Sequence, residues 1–435
     1  MPCICGVASS RPVRIGRYLR EMIAFEASHQ AAPEVAGLVG DTAFAGEDPS
    51  VRVPMQRALF GVARIGRGQM LDDVLTDPPS FRSDLLDASR GFLLAQLPPS
   101  PSGAPLFGSA ILGWSDEMVV GRDPLGTRPL FVARKGVVAV CSDPSAIAGL
   151  GLGTPDRLAP SRMVHLGSGR QVDLEFQPKV GHWTRESSTE HLIVSLKRAI
   201  EPLPTPRAVF FSGGIDSLIL AKISEQLGDT TCITAGMEGC KDLARAESAA
   251  DNLSSPLETV RIAPETIRHD VRFLSELTGG ETPMNLAIAL PLLHAATRAR
   301  ELGIDTAICG HGADELFGGY KRYLSDPDPQ GSMFRDLLRL HSRGLDSSTL
   351  TVRSRGVDVF LPYLDEDVVG IGFSLPLDRK VCNGQRKVLL REAGLELGLA
   401  ERDVSIEKCA IQYGSGVSKH VGRVLRGCRR DKSRA

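Results

Sequence analysis

The sequence lacks a dominant charge of either sign. Its 435 residues carry 51 Lys and Arg against 52 Asp and Glu, a formal net charge of −1. Such a balance supplies no global field toward nucleic acid or an anionic membrane. No run is long and apolar enough for a membrane span. The start, MPCICGVAS, has a short apolar stretch with nothing basic before it, so no signal peptide is expected. The nine cysteines are odd in number, scattered and without repeated CxxC pairs. They indicate neither a disulfide framework nor a zinc site, and a reducing, cytoplasmic setting is expected. There is no internal repeat and no long low-complexity tract. The basic tail RVLRGCRRDKSRA, from Arg423, reads as a frayed, solvated end, with an anionic partner as the alternative.

What is present has two grammars. A chain of this length predicts two or three domains. Residues 1–178 combine many Gly and Pro with short apolar runs, PLFGSAILGW, EMVVGR, PLFVAR and GVVAVCS, separated by turn signals. That pattern predicts an antiparallel β-rich domain, with one helical pattern from Gly16 ahead of these strands. The segment from Gln177 to Glu190 reads as a linker. In residues 190–435 apolar strand patterns alternate with helix patterns. RAVFF, TCITAGM, LETVRI and TAICG are the strands; HLIVSLKRAI, DSLILAKISEQL, DLARAESAADNL and the long segment from Pro283 are the helices. This alternation predicts an α/β fold with a doubly wound parallel sheet.

Ligands of such sheets sit beyond the carboxyl ends of the strands. Three loops fall there: SGGIDS (Ser212 to Ser217), AGMEGC (Ala235 to Cys240) and GHGADELFGGY (Gly310 to Tyr320). The first joins a strand through two glycines to a helix start, where unpaired amides and the helix dipole favour an anion. Ser212 and Ser217 can add hydroxyl donors, and Asp216 sits where a carboxylate could hold Mg²⁺ against phosphate oxygens. Neither a Walker GxxxxGK[ST] loop nor a GxGxxG loop is present. Plainer readings stay open for each residue. Asp216, Asp314 and Glu315 also suit helix capping, Lys387 suits a helix surface, and Met237 suits a core.

The string SGGIDS resembles the pyrophosphate loop of the N-type ATP pyrophosphatases. Further segments resemble the asparagine synthetases in the same order along the chain: TAGMEGCKDLARAESAADNL, AICGHGADELFGGYKRY, LPYLDEDVVGIGFSLP, NGQRKVLLREA and IQYGSGV. GHGADE and IQYGSGV are closer to the asparagine-synthetase-domain-containing branch. The resemblance implies ATP and Mg²⁺ as cofactors. It implies that Ser212, Gly213, Gly214 and Ser217 hold the β- and γ-phosphates, and that Asp216 and Asp314 hold the metal. Gly312 belongs to the same implied cofactor site, and the backbone near Met237 is implied to meet adenine. Lys387 is implied to reach the α-phosphate, with Glu315 and His311 beside it in catalytic positions. His311 stands where the family has an acidic residue. The implied reaction is adenylation of a carboxylate, aspartate first, followed by amidation. Adenylation of another carboxylate, as in the β-lactam-forming synthetases, and a nucleotide-binding pseudoenzyme are the alternatives. The implied partners are small molecules, with neither nucleic acid nor membrane, and a homodimer is allowed.

The first half resembles a class II glutamine amidotransferase (Ntn) domain through GRDPLGTRPLFV and VVAVCSDPSAI. In that family the nucleophile is the first residue of the mature chain, and its α-amino group is the base. Cys5-Gly6-Val7 resembles the family's Cys-Gly-Ile, but Cys5 is internal, and removal of Met1 exposes Pro2. The family's Arg-Gly-Pro-Asp and Asn-Gly-Glu signatures for glutamine are not found. Cys5 is therefore a candidate nucleophile only after processing, and otherwise a small buried or incidental cysteine. A degenerate glutaminase would leave ammonia or another amine as the nitrogen source; a working one would supply it from glutamine.

Overall fold

The computed structural model describes residues 3–13, 35–39, 42–46, 58–65, 92–96, 109–113, 118–135, 138–141, 144–148, 151–165, 171–173, 187–280, 282–405 and 414–432. The chain divides into two compact units, Met1–Phe176 and Gln177–Ala435.

The first unit is β-rich. Its strands are β1 (Cys3–Val13), β2 (Val35–Val39), β3 (Thr42–Gly46), β4 (Ala58–Ile65), β5 (Phe92–Gln96), β6 (Ser109–Gly113), β7 (Met118–Arg122), β8 (Phe131–Arg134), β9 (Val138–Cys141), β10 (Asp156–Arg157), β11 (Arg162–His165) and β12 (Gln171–Asp173). Seven form one sheet in the order β10-β8-β9-β1-β4-β2-β3, and five form another in the order β12-β11-β7-β6-β5. The paired strands are antiparallel, as in β1 with β4 and β6 with β7. The helix expected from Gly16 lies outside the described residues. The RDPLG segment closes on itself. Arg122 donates to Leu158 O at 2.7 Å and to Gly126 O at 2.8 Å. Asp123 accepts from the Leu125 and Thr127 amides and the Thr127 hydroxyl. Burial pushes the Asp123 carboxyl up to about 6. These bonds make the motif the anchor of a turn.

The second unit holds a five-stranded parallel sheet of β13 (Arg207–Phe210), β14 (Thr230–Gly236), β15 (Leu257–Arg261), β16 (Thr306–Ile308) and β17 (Asp358–Phe360), ordered β15-β14-β13-β16-β17. Every residue of β13 and β16 is buried, as expected of central strands covered by helices on both faces. One core cluster joins Phe210, Ile233 and Ala307 to the helices Ile267–Thr278 and Pro283–Glu301. The second of these helices starts on a Thr282 side-chain cap with Pro283 in its first turn, and it runs through Pro291. The first strand, β13, pairs with β14 on one side and β16 on the other. The chain therefore winds away from β13 in both directions, which opens a crevice at its carboxyl end.

Three features depart from expectation. The segment read as a linker already starts the helix Ser187–Ile200. Ser188 is fully buried there and accepts from Arg379 at 3.0 Å. The basic tail is not a frayed end over its described length: it continues the helix Ser418–Lys432. Val421 joins the core, and Val424 and Leu425 pack against it. Its apolar residues recur at helical spacing, so one face is docked despite the charge. The fifth strand, β17, is only three residues long and too short to show in the apolar pattern.

Candidate active site

The loops after β13 and β16 face the crevice from its two sides. The helix Ile215–Leu227 follows β13, with Gly214 as its N-cap in an extended conformation and without a side-chain cap. The short helix Ala313–Phe317 follows β16, with Gly312 as its N-cap in the left-handed region. Asp216 and Asp314 are first-turn residues and not caps, so capping explains neither. Glu315 likewise lies inside its helix.

The two glycines of the loop differ in kind. Gly213 has φ +65°, and a Cβ there would stand 2.6 Å from the Arg245 backbone. Its bareness is required by chain conformation and packing. Gly214 has φ −82°, which any residue adopts, and a Cβ there would meet only Ser212 Oγ, at 3.5 Å. Nothing among the described residues requires glycine at 214. The missing side chain keeps the approach to a helix N-terminus open, as close contact with a phosphate demands. The serines are poised beside it: Ser217 Oγ accepts from the Ser212 amide at 3.2 Å, lies 3.3 Å from Ser212 Oγ and donates to Gly214 O at 3.1 Å.

Lys387 closes the site. Its ammonium lies 2.6 and 2.5 Å from the two Asp216 oxygens and 2.7 Å from Asp314 Oδ1. Lys387 is 2% exposed, so the surface-lysine reading fails. It occupies the left-handed region at φ +58°, as the N-cap of the helix Val388–Glu396. A non-glycine residue there costs about 1–2 kcal/mol. Arg386 holds this turn in place by donating to Gly319 O at 2.6 Å. Gly319 itself has no room for a side chain, since a Cβ would stand 1.8 Å from Asp314 Oδ1 and 2.5 Å from Lys387 Cε. Tyr363 anchors the other carboxylate-bearing residue by donating to Asp216 O at 3.0 Å. Burial pushes the Tyr363 phenol up, so it remains a donor. Tyr363, Gly319 and Arg386 carry no assignment in the sequence reading. Their signals are the second glycine of FGGY, the aromatic of LPYLD and the basic residue before Lys387.

Two carboxylates on one ammonium leave a net negative charge in a pocket beside open amides. That donor set fits Mg²⁺, which is usually held by one or two carboxylates plus phosphate oxygens. Among the described residues no cluster of three or more acidic, His or Cys side chains suits a self-sufficient metal site, so an Mg²⁺ here would need further ligands from substrate and water.

The other candidates are spread around this centre. Gly312 is bare because Leu364 crowds it; a Cβ would lie 2.4 Å from Leu364 Cδ2. His311 Nδ1 lies 2.9 Å from Cys309 Sγ. Glu315 accepts from Tyr320 Oη at 2.6 Å. The amide of Met237 donates to Ser415 O at 2.9 Å and its carbonyl accepts from the Cys240 amide, while the side chain packs on the core. This joins AGMEGC to the GSG of IQYGSGV; residues 411–413 lie outside the described residues. Cys5 falls on β1, opposite Ala63 and Cys141, and its side chain lies outside the described ones.

Residues 204–330 and 325–397 match the family described as asparagine synthase. The matched span covers β13, β16 and all three of Asp216, Asp314 and Lys387. Over these residues the second unit is similar to the asparagine synthase family. Similar curated proteins bear related names. A putative glutamine-hydrolyzing asparagine synthetase of Methanocaldococcus jannaschii is 27% identical over 213 residues, 46% of this chain and 39% of that protein. Asparagine synthetase B of Escherichia coli is 26% identical over 211 residues, 43% of this chain and 37% of that one. An asparagine synthetase domain-containing protein of Drosophila melanogaster is 27% identical over 259 residues, 48% of this chain and 44% of that one. These three matches span less than half the length of each relative. No helix among the described residues is long and apolar enough to cross a membrane.

Proposed function

We propose that this chain is an AMP-forming amide ligase. It would activate a carboxylate with ATP, release pyrophosphate, and pass the acyl-adenylate to ammonia or an amine. The observation that carries this reading is the meeting of Asp216, Asp314 and Lys387 beside the open Gly214 amide, at the crevice of a unit similar to the asparagine synthase family.

Each residue would have its own role. Backbone amides at Gly213 and Gly214 and the hydroxyls of Ser212 and Ser217 would bind the β- and γ-phosphates. Asp216 and Asp314 would hold Mg²⁺, which when bound offsets charge on the phosphate oxygens. Lys387 would supply a second, fixed cation for charge developing at the α-phosphate. Its buried setting strengthens that effect, because little water screens it. Tyr363 and Gly319 would position the two aspartates. The His311 imidazole would take the proton from the attacking amine. The adenine contact near Met237 would use neighbouring groups, since the Met237 amide has a protein acceptor.

Aspartate is the first acyl substrate to test, by likeness to the named relatives. His311 in place of an acidic residue favours a second reading, in which another carboxylate is activated. The deciding assay is pyrophosphate release from ATP with aspartate and ammonium, then with glutamine in place of ammonium. Turnover with ammonium alone supports a ligase without a working glutaminase, and turnover with glutamine brings Cys5 into play. Absence of aspartate-dependent AMP in both assays overturns the asparagine reading.

A further inference from the structure

A cavity of about 370 Å³ lies among Met333, Phe334, Leu337 and Phe373, with Glu315 and Lys380 in its wall. Its lining is that of a small-molecule pocket: apolar and aromatic side chains with few polar groups. Phe334 and Phe373 meet edge to face at 5.3 Å between ring centroids and form one aromatic wall.

Lys380 is the anomaly. It is 5% exposed, yet its ammonium has neither a hydrogen bond nor an ion pair among the described residues. Its own backbone is fixed, donating to Leu377 O and accepting from the Val388 amide. Arg379 beside it turns away to Glu392 at 2.5 Å, and Arg386 is committed to Gly319 O. Glu315, the other titratable residue in the wall, is occupied by Tyr320 Oη. A buried ammonium without a counter-ion is costly and is normally matched by an anion. Burial holds the Lys380 ammonium down to about 8, so most of it is charged at neutral pH.

We propose that this cavity binds an organic carboxylate with an apolar, ring-sized body, its carboxylate on Lys380 and its body against Phe334 and Phe373. The lining includes none of Asp216, Asp314 and Lys387, and the proposal does not depend on the ligase reading. The volume suits a ring-sized body, the single cation selects one negative charge, and the aromatic wall selects an apolar body.

The test uses the full chain and 3-(4-fluorophenyl)propionate, followed by fluorine NMR titration at pH 7, with the corresponding neutral amide as control. Saturable binding of the carboxylate is expected. A charge-assisted contact predicts binding of the amide that is weaker by roughly 10- to 100-fold. Lys380→Met should remove that preference while leaving the amide's own affinity unchanged. In the unmodified protein, carboxylate affinity should fall as pH rises through the Lys380 range, from about 7 to about 9.5, which needs no variant. Leu337→Trp, which fills the cavity, should abolish binding of both probes. Equal affinity for acid and amide, or no saturable binding of the acid, overturns the proposal whatever the assay of ATP cleavage shows.

Discussion

Lys387 Nζ sits between Asp216 and Asp314, within 2.7 Å of an oxygen of each. One ammonium thus bridges two carboxylates that follow separate strands, β13 and β16. Breaking such a buried arrangement by removing one partner typically costs about 3–5 kcal/mol, because a charge is left uncompensated. Lys387→Met should therefore lower thermal stability clearly. Added Mg²⁺ should restore part of it, and should raise the melting temperature of the variant more than that of the parent. Thermal melts with and without MgCl₂ check this without reference to turnover. An equal shift in both proteins would mean that the two carboxylates do not share a cation site.

The two loop glycines make a paired test. Gly213→Ala meets the Arg245 backbone and a left-handed φ, and should destabilise the fold by about 1–3 kcal/mol. Gly214→Ala meets neither obstacle and should leave stability within about 0.5 kcal/mol. It should instead weaken ATP binding, since its methyl intrudes on the anion's approach. Denaturant melts and nucleotide titration separate the two. Tight ATP binding by Gly214→Ala would remove the argument for a phosphate at this amide.

Asp216→Ala should remove pyrophosphate release altogether or reduce it by at least roughly 10²–10³-fold, the scale seen when one preorganised electrostatic group is lost. His311→Ala should behave differently. Pyrophosphate exchange into ATP, which reports adenylation, should persist, while amide formation falls by roughly 10²–10⁴-fold. Equal loss of both steps would place His311 in binding or folding.

Much of this site is legible in the sequence because its parts are backbone devices with local signatures. A buried strand, two glycines and a helix start are all visible in FFSGGIDS. Strand–helix alternation then puts GHGADE at the same end of the sheet. The convergence is not legible. Asp216 and Lys387 are 171 positions apart, and no local pattern encodes their contact. The different reasons for Gly213 and Gly214 are hidden for the same cause: one depends on Arg245 in another helix, the other on open space. The tail reads as frayed because its charge masks Val424 and Leu425, which continue the apolar stripe of Val417 and Val421 before it and matter only when a core lies beneath them. Lys380 has no signal at all, since a lysine in a cavity looks like any other lysine in a string of letters.

The LPYLD segment carries a titration that pH should expose. Asp365 caps the helix Glu366–Ser374 by accepting from the Asp367 amide at 3.0 Å. Burial, the largest influence, pushes its carboxyl up from 3.8 to about 6, even though the cap bonds pull the other way. The folded chain therefore binds this proton more tightly than the unfolded chain does. That contribution is fully present below about pH 4 and is lost as pH rises through about 6. Asp365→Asn keeps a good N-cap and stays neutral at every pH. The variant should match the parent near pH 4 and exceed it in stability above pH 6, with about 1.4 kcal/mol for each unit by which the carboxyl is displaced. Denaturant melts of both proteins from pH 4 to 8 give the comparison. Curves that stay parallel across that window would show that the Asp365 carboxylate is not held up by burial.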